Sequence, residues 1–181
     1  MYLRATCYVS GYNFEENEKK AGYALLVQLF QMEKFVDPHT PSGEVQFTVA
    51  YWRKANAIHQ WFVDNVQDGV DDCRNAYVPR EKLIELRDLC QEVIDSLRVD
   101  DGSVHRGTSW DAQGQHEHYG HGQVVVNPEQ AAELLPTQGG FFFGSTDYDE
   151  GYIADLHDTV TQINRALGLD TNWEFQYHSS W

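Results

Sequence analysis

The sequence predicts a single α+β domain over residues 1–181, with a mixed or antiparallel sheet of about four strands and helices on one face. Short stretches in which apolar residues alternate, typical of half-buried strands, occur near both ends of the chain. Longer stretches with apolar residues every three or four positions, typical of amphipathic helices, lie between them. With 181 residues, of which 41% are hydrophobic, the chain is long enough for one sizeable core.

The first part of the chain predicts a strand, a helix, a second strand and a second helix. Apolar residues alternate through Met1–Tyr12, and the acidic run that follows favours the start of a helix ending near Gln31. A loop with two prolines at 37–43 leads to a second alternating stretch at 44–50. The next helix is expected from Tyr51 to about Val66, because apolar residues recur there at helical spacing.

The middle of the chain predicts a strongly periodic helix that begins at Pro79, a residue well suited to a first helical turn. After it, residues 99–122 are rich in glycine, glutamine, aspartate, serine and histidine. This composition predicts a flexible inserted loop or a loose hairpin within the domain. A short strand at 124–126 and a short helix at 128–135 follow. The inward residues of the Pro79 helix are expected to be Leu83, Leu86, Cys90, Val93 and Leu97.

The last part of the chain predicts another strand, helix and strand. Phe141–Phe143 is expected to be a buried strand, and Ser145 and Thr146 are expected to cap a helix that continues to Leu167. Residues 172–178 alternate again and predict the final strand. The two outer strand-helix-strand units are each expected to form a right-handed crossover, combined in a ferredoxin-like sheet with a helical insertion.

The net charge of the chain restricts the kinds of molecule that it is expected to bind. A formal net charge of -15 disfavours direct binding of nucleic acids or anionic membranes, because like charges repel. An acidic surface can also imitate a phosphate backbone and occupy the nucleic-acid groove of an enzyme, but the simpler interpretation, which the sequence favours, is that the charge keeps the protein in solution. The three cysteines have neither zinc nor redox spacing, and no signal peptide or membrane span is recognisable, which predicts a cytoplasmic protein with reduced thiols.

A first polar-aromatic segment, Tyr51–His59, predicts ligand recognition. On a helix, Trp52, Asn56 and His59 would form a stripe beside the apolar face, presenting an indole, a carboxamide and an imidazole. Arg53, with Lys54, supplies local positive charge for an anionic ligand. The structural alternative is that Trp52 belongs to the core and that His59 is hydrogen-bonded to a neighbour.

A second segment, Leu134–Glu150, predicts a strand-to-helix corner with hydroxyls and acids. Backbone N–H groups at a helix start can hold a phosphate or carboxylate. However, three acids follow at once, no Walker-type or dinucleotide pattern is present, and the acids could instead complement the helix dipole or accept sugar hydroxyls. Together the two segments predict these ligand-binding residues: Trp52, Arg53, Asn56, His59, Thr137, Gln138, Ser145, Thr146, Asp147 and Tyr148.

The histidines of the 99–122 stretch are weak metal-ligand candidates. His116, His118 and His121 have plausible spacing, but their polar, glycine-rich surroundings favour an exposed segment without a metal. No nucleophile elbow appears, and no catalytic constellation is complete, so the sequence leaves open whether the protein is an enzyme and calls for no cofactor.

Two segments resemble a family of uncharacterised phage-encoded proteins: Tyr51–His59 with Trp61-Phe62-Val63, and Leu134–Gln138 with Gly140–Asp149. The resemblance implies a role in host takeover or defence evasion. Three functions fit it: a sponge that sequesters a nucleotide immune signal, an acidic inhibitor of a nucleic-acid enzyme such as a CRISPR effector, and a small nucleotide-acting enzyme. The first is preferred because ring-stacking groups suit a small ligand. The partners expected are a small anionic or nucleotide ligand, a host defence protein, and a second copy of the chain.

Overall fold

The computed structural model describes residues 1–140 and 146–180. Their fold is α+β, as predicted, and its centre is a four-stranded antiparallel sheet with the strand order β2-β1-β6-β3. No helix in these described residues is long and apolar enough to cross a bilayer. The strands are β1 (Tyr2–Ser10), β2 (Ser42–Tyr51), β3 (Ala76–Val78) and β6 (Trp173–His178), with β4 (Val99–Asp111) and β5 (Gly114–Val125) in a separate two-stranded sheet.

The helices form because apolar residues recur at helical spacing, as α3 illustrates. Its residues Leu83, Leu86, Cys90 and Val93 are all fully buried, as predicted. Leu97, the fifth residue of the predicted stripe, lies just past the end of the helix and is partly buried. The helices are α1 (Asn17–Leu29), α2 (Asn56–Val66), α3 (Arg80–Ser96), α4 (Glu129–Leu134) and α5 (Glu150–Leu167).

The core lies between one face of the sheet and the helices. Leu3 and Ala5 of β1 and Tyr177 of β6 are completely buried, whereas Tyr8, which points to the opposite face, is exposed. The ring of Tyr177 stacks on Phe62 of α2, with 4.0 Å between the ring centroids. Alternation in the strands therefore places the helices on one side of the sheet, as the sequence predicted.

The connection between the first two strands differs from the prediction. A crossover joins parallel strands, but β1 pairs directly with β2 and with β6, and both pairings are antiparallel. The predicted crossover through α1 is therefore wrong, and with it the split βαβ connectivity of a ferredoxin-like sheet. The strand predicted at Phe141–Phe143 lies outside the described residues.

Residues 99–122, expected as a loop or loose hairpin, belong to the long hairpin of β4 and β5, which are paired from Val99↔Val125 to Asp111↔Gly114. The base of this hairpin lies against the start of α5. Val125 donates its backbone N–H to the carbonyl of Tyr148 at 2.9 Å, and the Arg106 guanidinium donates to the carboxylate of Glu150. This ion pair holds the pKa of Glu150 below its usual value. The hairpin thus flanks the segment that carries the second predicted motif.

Candidate functional site

A cavity of about 290 Å³ opens between the β2–α2 corner, residues 137–138 and the first turns of α5. It brings both predicted segments together, because each contributes side chains to the same walls. The cavity contains positive and negative groups in one small volume. Its described lining residues are Arg53, Lys54, Asn56, Ala57, Thr137, Gln138, Asp147, Asp149, Gly151, Tyr152 and Asp155.

The β2–α2 corner is held by Trp52. This residue is 3% exposed, and its indole N–H donates to Thr159 Oγ1 of α5 at 2.9 Å. The terminal amino group of Met1 donates to the Trp52 carbonyl at 3.0 Å. With Trp52 anchored in this way, Arg53 and Lys54 are left exposed at the pocket.

The predicted stripe of Trp52, Asn56 and His59 on one helix face is wrong. Strand β2 continues to Tyr51, which pairs with Tyr2, and α2 does not begin until Asn56. Trp52 therefore precedes the helix and points into the core, where its ring lies 5.6 Å from that of Phe62. A buried indole has no face on which a ligand could stack, so the core alternative describes Trp52.

His59 is separated from the pocket as well. Its Nδ1 lies 2.6 Å from the hydroxyl of Tyr177, and its Nε2 lies 3.1 Å from Oδ2 of Asp71. Burial raises the pKa of the Tyr177 hydroxyl, so this group stays protonated near neutral pH. His59 therefore connects α2 to β6 and to the 67–75 loop, and it does not line the cavity.

Asn56 joins the two predicted segments directly. Its Nδ2 donates to the carbonyl of Gln138 at 3.2 Å. Thr137 is positioned by a hydrogen bond from its Oγ1 to the Thr146 carbonyl at 2.9 Å, and its backbone N–H faces the hydroxyl of Tyr148 at 3.4 Å. Thr146 and Tyr148 thus support the pocket wall without lining it. Ser145 lies outside the described residues.

The backbone N–H groups at the start of α5 are already hydrogen-bonded to a carboxylate of the same segment. Asp149 caps the helix, and its Oδ1 accepts from the backbone N–H groups of Gly151 at 2.9 Å and Tyr152 at 3.2 Å. The prediction that Thr146 caps this helix is therefore wrong. Because a carboxylate already satisfies these amides, the helix start does not offer them to a phosphate. The groups suited to an anion are instead Arg53 and Lys54.

Asp155 is one of the lining residues that the predicted set did not include. Burial, with smaller contributions from the neighbouring carboxylates of Asp158 and Asp149, raises the pKa of Asp155 to about 7. The sequence offered one indication that Asp155 is partly buried: it borders the apolar stripe of α5 that includes Tyr152, Leu156 and Thr159. The backbone of Lys54 is also unusual, because its φ angle of 65° lies in the left-handed region that favours glycine.

The histidines of the hairpin do not form a metal site. His116 Nε2 lies 2.9 Å from Oδ1 of Asp111, and His118 Nε2 lies 2.7 Å from the hydroxyl of Ser109. His121 lies on the opposite face of β5, because alternate residues of a strand point to opposite sides. Within residues 1–140 and 146–180, no group of three or more histidine, cysteine or acidic side chains could hold a metal ion.

No protein family, curated protein or solved structure matches this chain. The function of the pocket is therefore inferred from the residues that line it.

Proposed function

We propose that the protein binds a small nucleotide-type ligand in this pocket and sequesters it without turning it over. The proposal rests on one observation: Arg53 and Lys54 line the same cavity as Asn56, Gln138 and the three aspartates. Such a lining suits a ligand that carries both an anionic group and hydrogen-bond donors. In the phage setting that the sequence resemblance suggests, the ligand would be a nucleotide signal of the host.

The charged groups of the pocket have chemical counterparts in a nucleotide. Arg53 is exposed and makes no ion pair or hydrogen bond with the described part of the chain, so its guanidinium can bind a phosphate in bidentate fashion. Carboxylates such as Asp155 and Asp147 accept hydrogen bonds from ribose hydroxyls or from the amino group of a base. The volume of about 290 Å³ lies at the lower end of the range for small-molecule sites.

The lining favours binding over catalysis. None of its described members is a cysteine, serine or histidine, and the hydroxyl of Thr137 donates to a backbone carbonyl. One observation favours the alternative of a nucleotide-acting enzyme: a carboxyl group whose pKa is about 7 can donate or accept a proton at neutral pH. Asp155 would be the acid or base in that case.

The test is to incubate the protein with a panel of mononucleotides and cyclic dinucleotides, remove unbound ligand, denature the protein and identify what is released. Recovery of intact nucleotide is expected. We expect the double variant Arg53→Ala with Lys54→Gly to weaken binding at least about tenfold, because both cations of the pocket are lost. Glycine suits the positive φ at position 54, so this variant keeps the corner folded.

The matched control is Lys82→Ala with Arg87→Ala on α3, which removes two positive charges outside the pocket and should leave binding unchanged. Release of a converted nucleotide would favour the enzyme. If no nucleotide binds, or if the pocket variant binds as well as the control, the ligand proposal fails. Retention of a host nuclease on a column of the protein would then favour the acidic inhibitor.

A further inference from the structure

The charges that line the pocket balance only when one of its carboxyl groups is neutral. Arg53 and Lys54 contribute two positive charges. Asp147 and Asp149 contribute two negative charges, and Asp155 is the third acidic side chain of the lining. With Asp155 neutral these charges cancel, whereas with Asp155 ionised one negative charge is in excess. An anionic ligand is therefore favoured by the neutral form of Asp155.

The carboxyl group of Asp155 has no hydrogen-bond donor or ion-pair partner in residues 1–140 and 146–180. The hydroxyl of Thr159 donates at 2.6 Å to the backbone carbonyl of Asp155, not to its side chain. Asp149 differs, because its Oδ1 accepts from two backbone N–H groups at the start of α5. Since hydrogen bonds to an ionised carboxylate stabilise it, Asp155 lacks a support that Asp149 has.

The surroundings of Asp155 favour its neutral form. Burial, with the nearby carboxylates of Asp158 and Asp149, raises its pKa to about 7. The thiol of Cys90, on the buried side of the adjacent helix α3, stays neutral because burial raises its pKa to about 12. Arg106 of the hairpin is paired with Glu150. The charged groups on the same segment and on the cavity walls are Asp149, Asp158, Asp147, Arg53 and Lys54.

The cavity is small enough for its charges to act on one another. A volume of about 290 Å³ corresponds to a sphere roughly 8 Å across, about the distance over which physiological salt screens a charge. A phosphate bound by Arg53 therefore repels an ionised Asp155 but not a neutral one. A neutral carboxyl group also has an O–H that can donate to a phosphate oxygen, and it still accepts through its carbonyl oxygen.

We propose that the pocket binds its anionic ligand together with one proton, which is held on the carboxyl group of Asp155. The inference rests on the proposed function and adds its regulation, because the ligand is held near and below neutral pH and released as the solution becomes alkaline. The proton comes from the solvent and returns to it on release, and no bond of the ligand is broken. If only the neutral form of Asp155 accepts the ligand, the competent fraction falls from about 0.9 at pH 6 to about 0.1 at pH 8.

The experiment measures the Kd by isothermal titration calorimetry at pH 6, 7 and 8 and at constant ionic strength. The probes are cyclic AMP, cyclic GMP, cyclic di-AMP and cyclic di-GMP, whose phosphodiester groups keep the same charge over this range. The Kd of the wild-type protein should rise about tenfold between pH 6 and pH 8. Titrations at pH 8 in buffers of different ionisation enthalpy should show that close to one proton is taken up per ligand.

Asp155→Asn tests the role of the carboxyl group, because asparagine is neutral at every pH and offers a donor and an acceptor, as a protonated carboxyl group does. Its Kd should be nearly the same at pH 6 and pH 8, and binding should take up no proton. Asp88→Asn, on α3 and outside the pocket, is the matched control and should keep the pH dependence of the wild-type protein. Thermal unfolding of each variant checks the fold.

A wild-type Kd that does not rise between pH 6 and pH 8 overturns the inference and leaves the proposed function standing. A rise that persists in Asp155→Asn has the same meaning, since another group then takes up the proton. If none of the four probes binds at any pH, the inference fails together with the proposed function for phosphodiester ligands.

Discussion

Trp52 shows how one side chain can hold a pocket in place without lining it. It is buried, packs near Phe62 and donates its indole N–H to Thr159, while its neighbours Arg53 and Lys54 line the pocket. The side chain therefore acts as the anchor of the β2–α2 corner. Trp52 affects the pocket indirectly, because it fixes the position of Arg53 and Lys54, which follow it in the chain.

Replacing Trp52 with alanine should lower the free energy of unfolding by about 3–5 kcal/mol, because a large buried side chain is lost. Urea denaturation measures this change. Arg53→Ala is the control and should change stability by less than about 0.5 kcal/mol, since Arg53 is exposed. Unchanged stability in Trp52→Ala would contradict the core assignment and restore a direct role in binding.

Asp155 makes stability depend on pH. Its pKa is about 7 in the folded protein and near the ordinary value of 3.8 in the unfolded chain. Between these values the folded state binds more protons than the unfolded state, so stability falls as pH rises through this window. Above pH 7 the carboxylate is ionised in both states, and the full cost of burying its charge is present.

Asp155→Asn should therefore stabilise the protein at pH 8, by about 1–3 kcal/mol once partial solvent exposure is allowed for, and should have little effect near pH 4. Thermal or urea unfolding at both pH values measures the difference. Asp88→Asn, at an exposed position on α3, is the control and should show no such gain at pH 8. An equal effect of Asp155→Asn at the two pH values would contradict the raised pKa.

At the scale of the elements, the β4–β5 hairpin is fastened to the start of α5 through small residues. An isolated two-stranded hairpin is marginally stable in water, so its packing at the base matters. A Cβ at Gly122 would lie 2.6 Å from Val104 and 2.7 Å from the carboxylate of Glu150. Glycine is thus required at this position by close packing, since no backbone strain is involved.

Gly122→Ala should strain the packing of β5 against Val104 of β4 and displace the Glu150 carboxylate, and it should lower the free energy of unfolding by about 1–3 kcal/mol, the usual cost of overpacking. Hydrogen exchange of β4 and β5 should rise more than that of α3. Gly43→Ala is the matched control, because a Cβ there meets Val9 at an ordinary distance of 3.7 Å. Unchanged exchange in the hairpin of Gly122→Ala would show that its base is not held by this contact.

At the scale of the whole molecule, the pocket joins three parts of the chain that are distant in sequence. It is built from the β2–α2 corner, residues 137–138 and α5. The indole of Trp52 donates to Thr159 of α5, so the pocket depends on the packing of α5 beside the corner.

Local patterns determined much of the molecule. The stripe of α3 and the alternation of β1 follow from periodicity within a few turns or residues, so they could be predicted without knowing any partner. The two segments that line the pocket could also be singled out by their density of polar and aromatic side chains. Arg53, Asn56, Thr137, Gln138 and Asp147 were among the predicted residues, and all five line the cavity.

The tertiary structure alone decided which side chains of those segments line the pocket. Trp52 is removed from the pocket because pairing of Tyr51 with Tyr2 extends β2 and delays the start of α2, and no periodicity within the segment reports such a distant partner. Asp155 enters the pocket because α5 packs beside the corner, and its raised pKa exists only after the fold buries it. Sequence determines local periodicity through near neighbours, whereas burial and charge at a site depend on residues far apart in the chain.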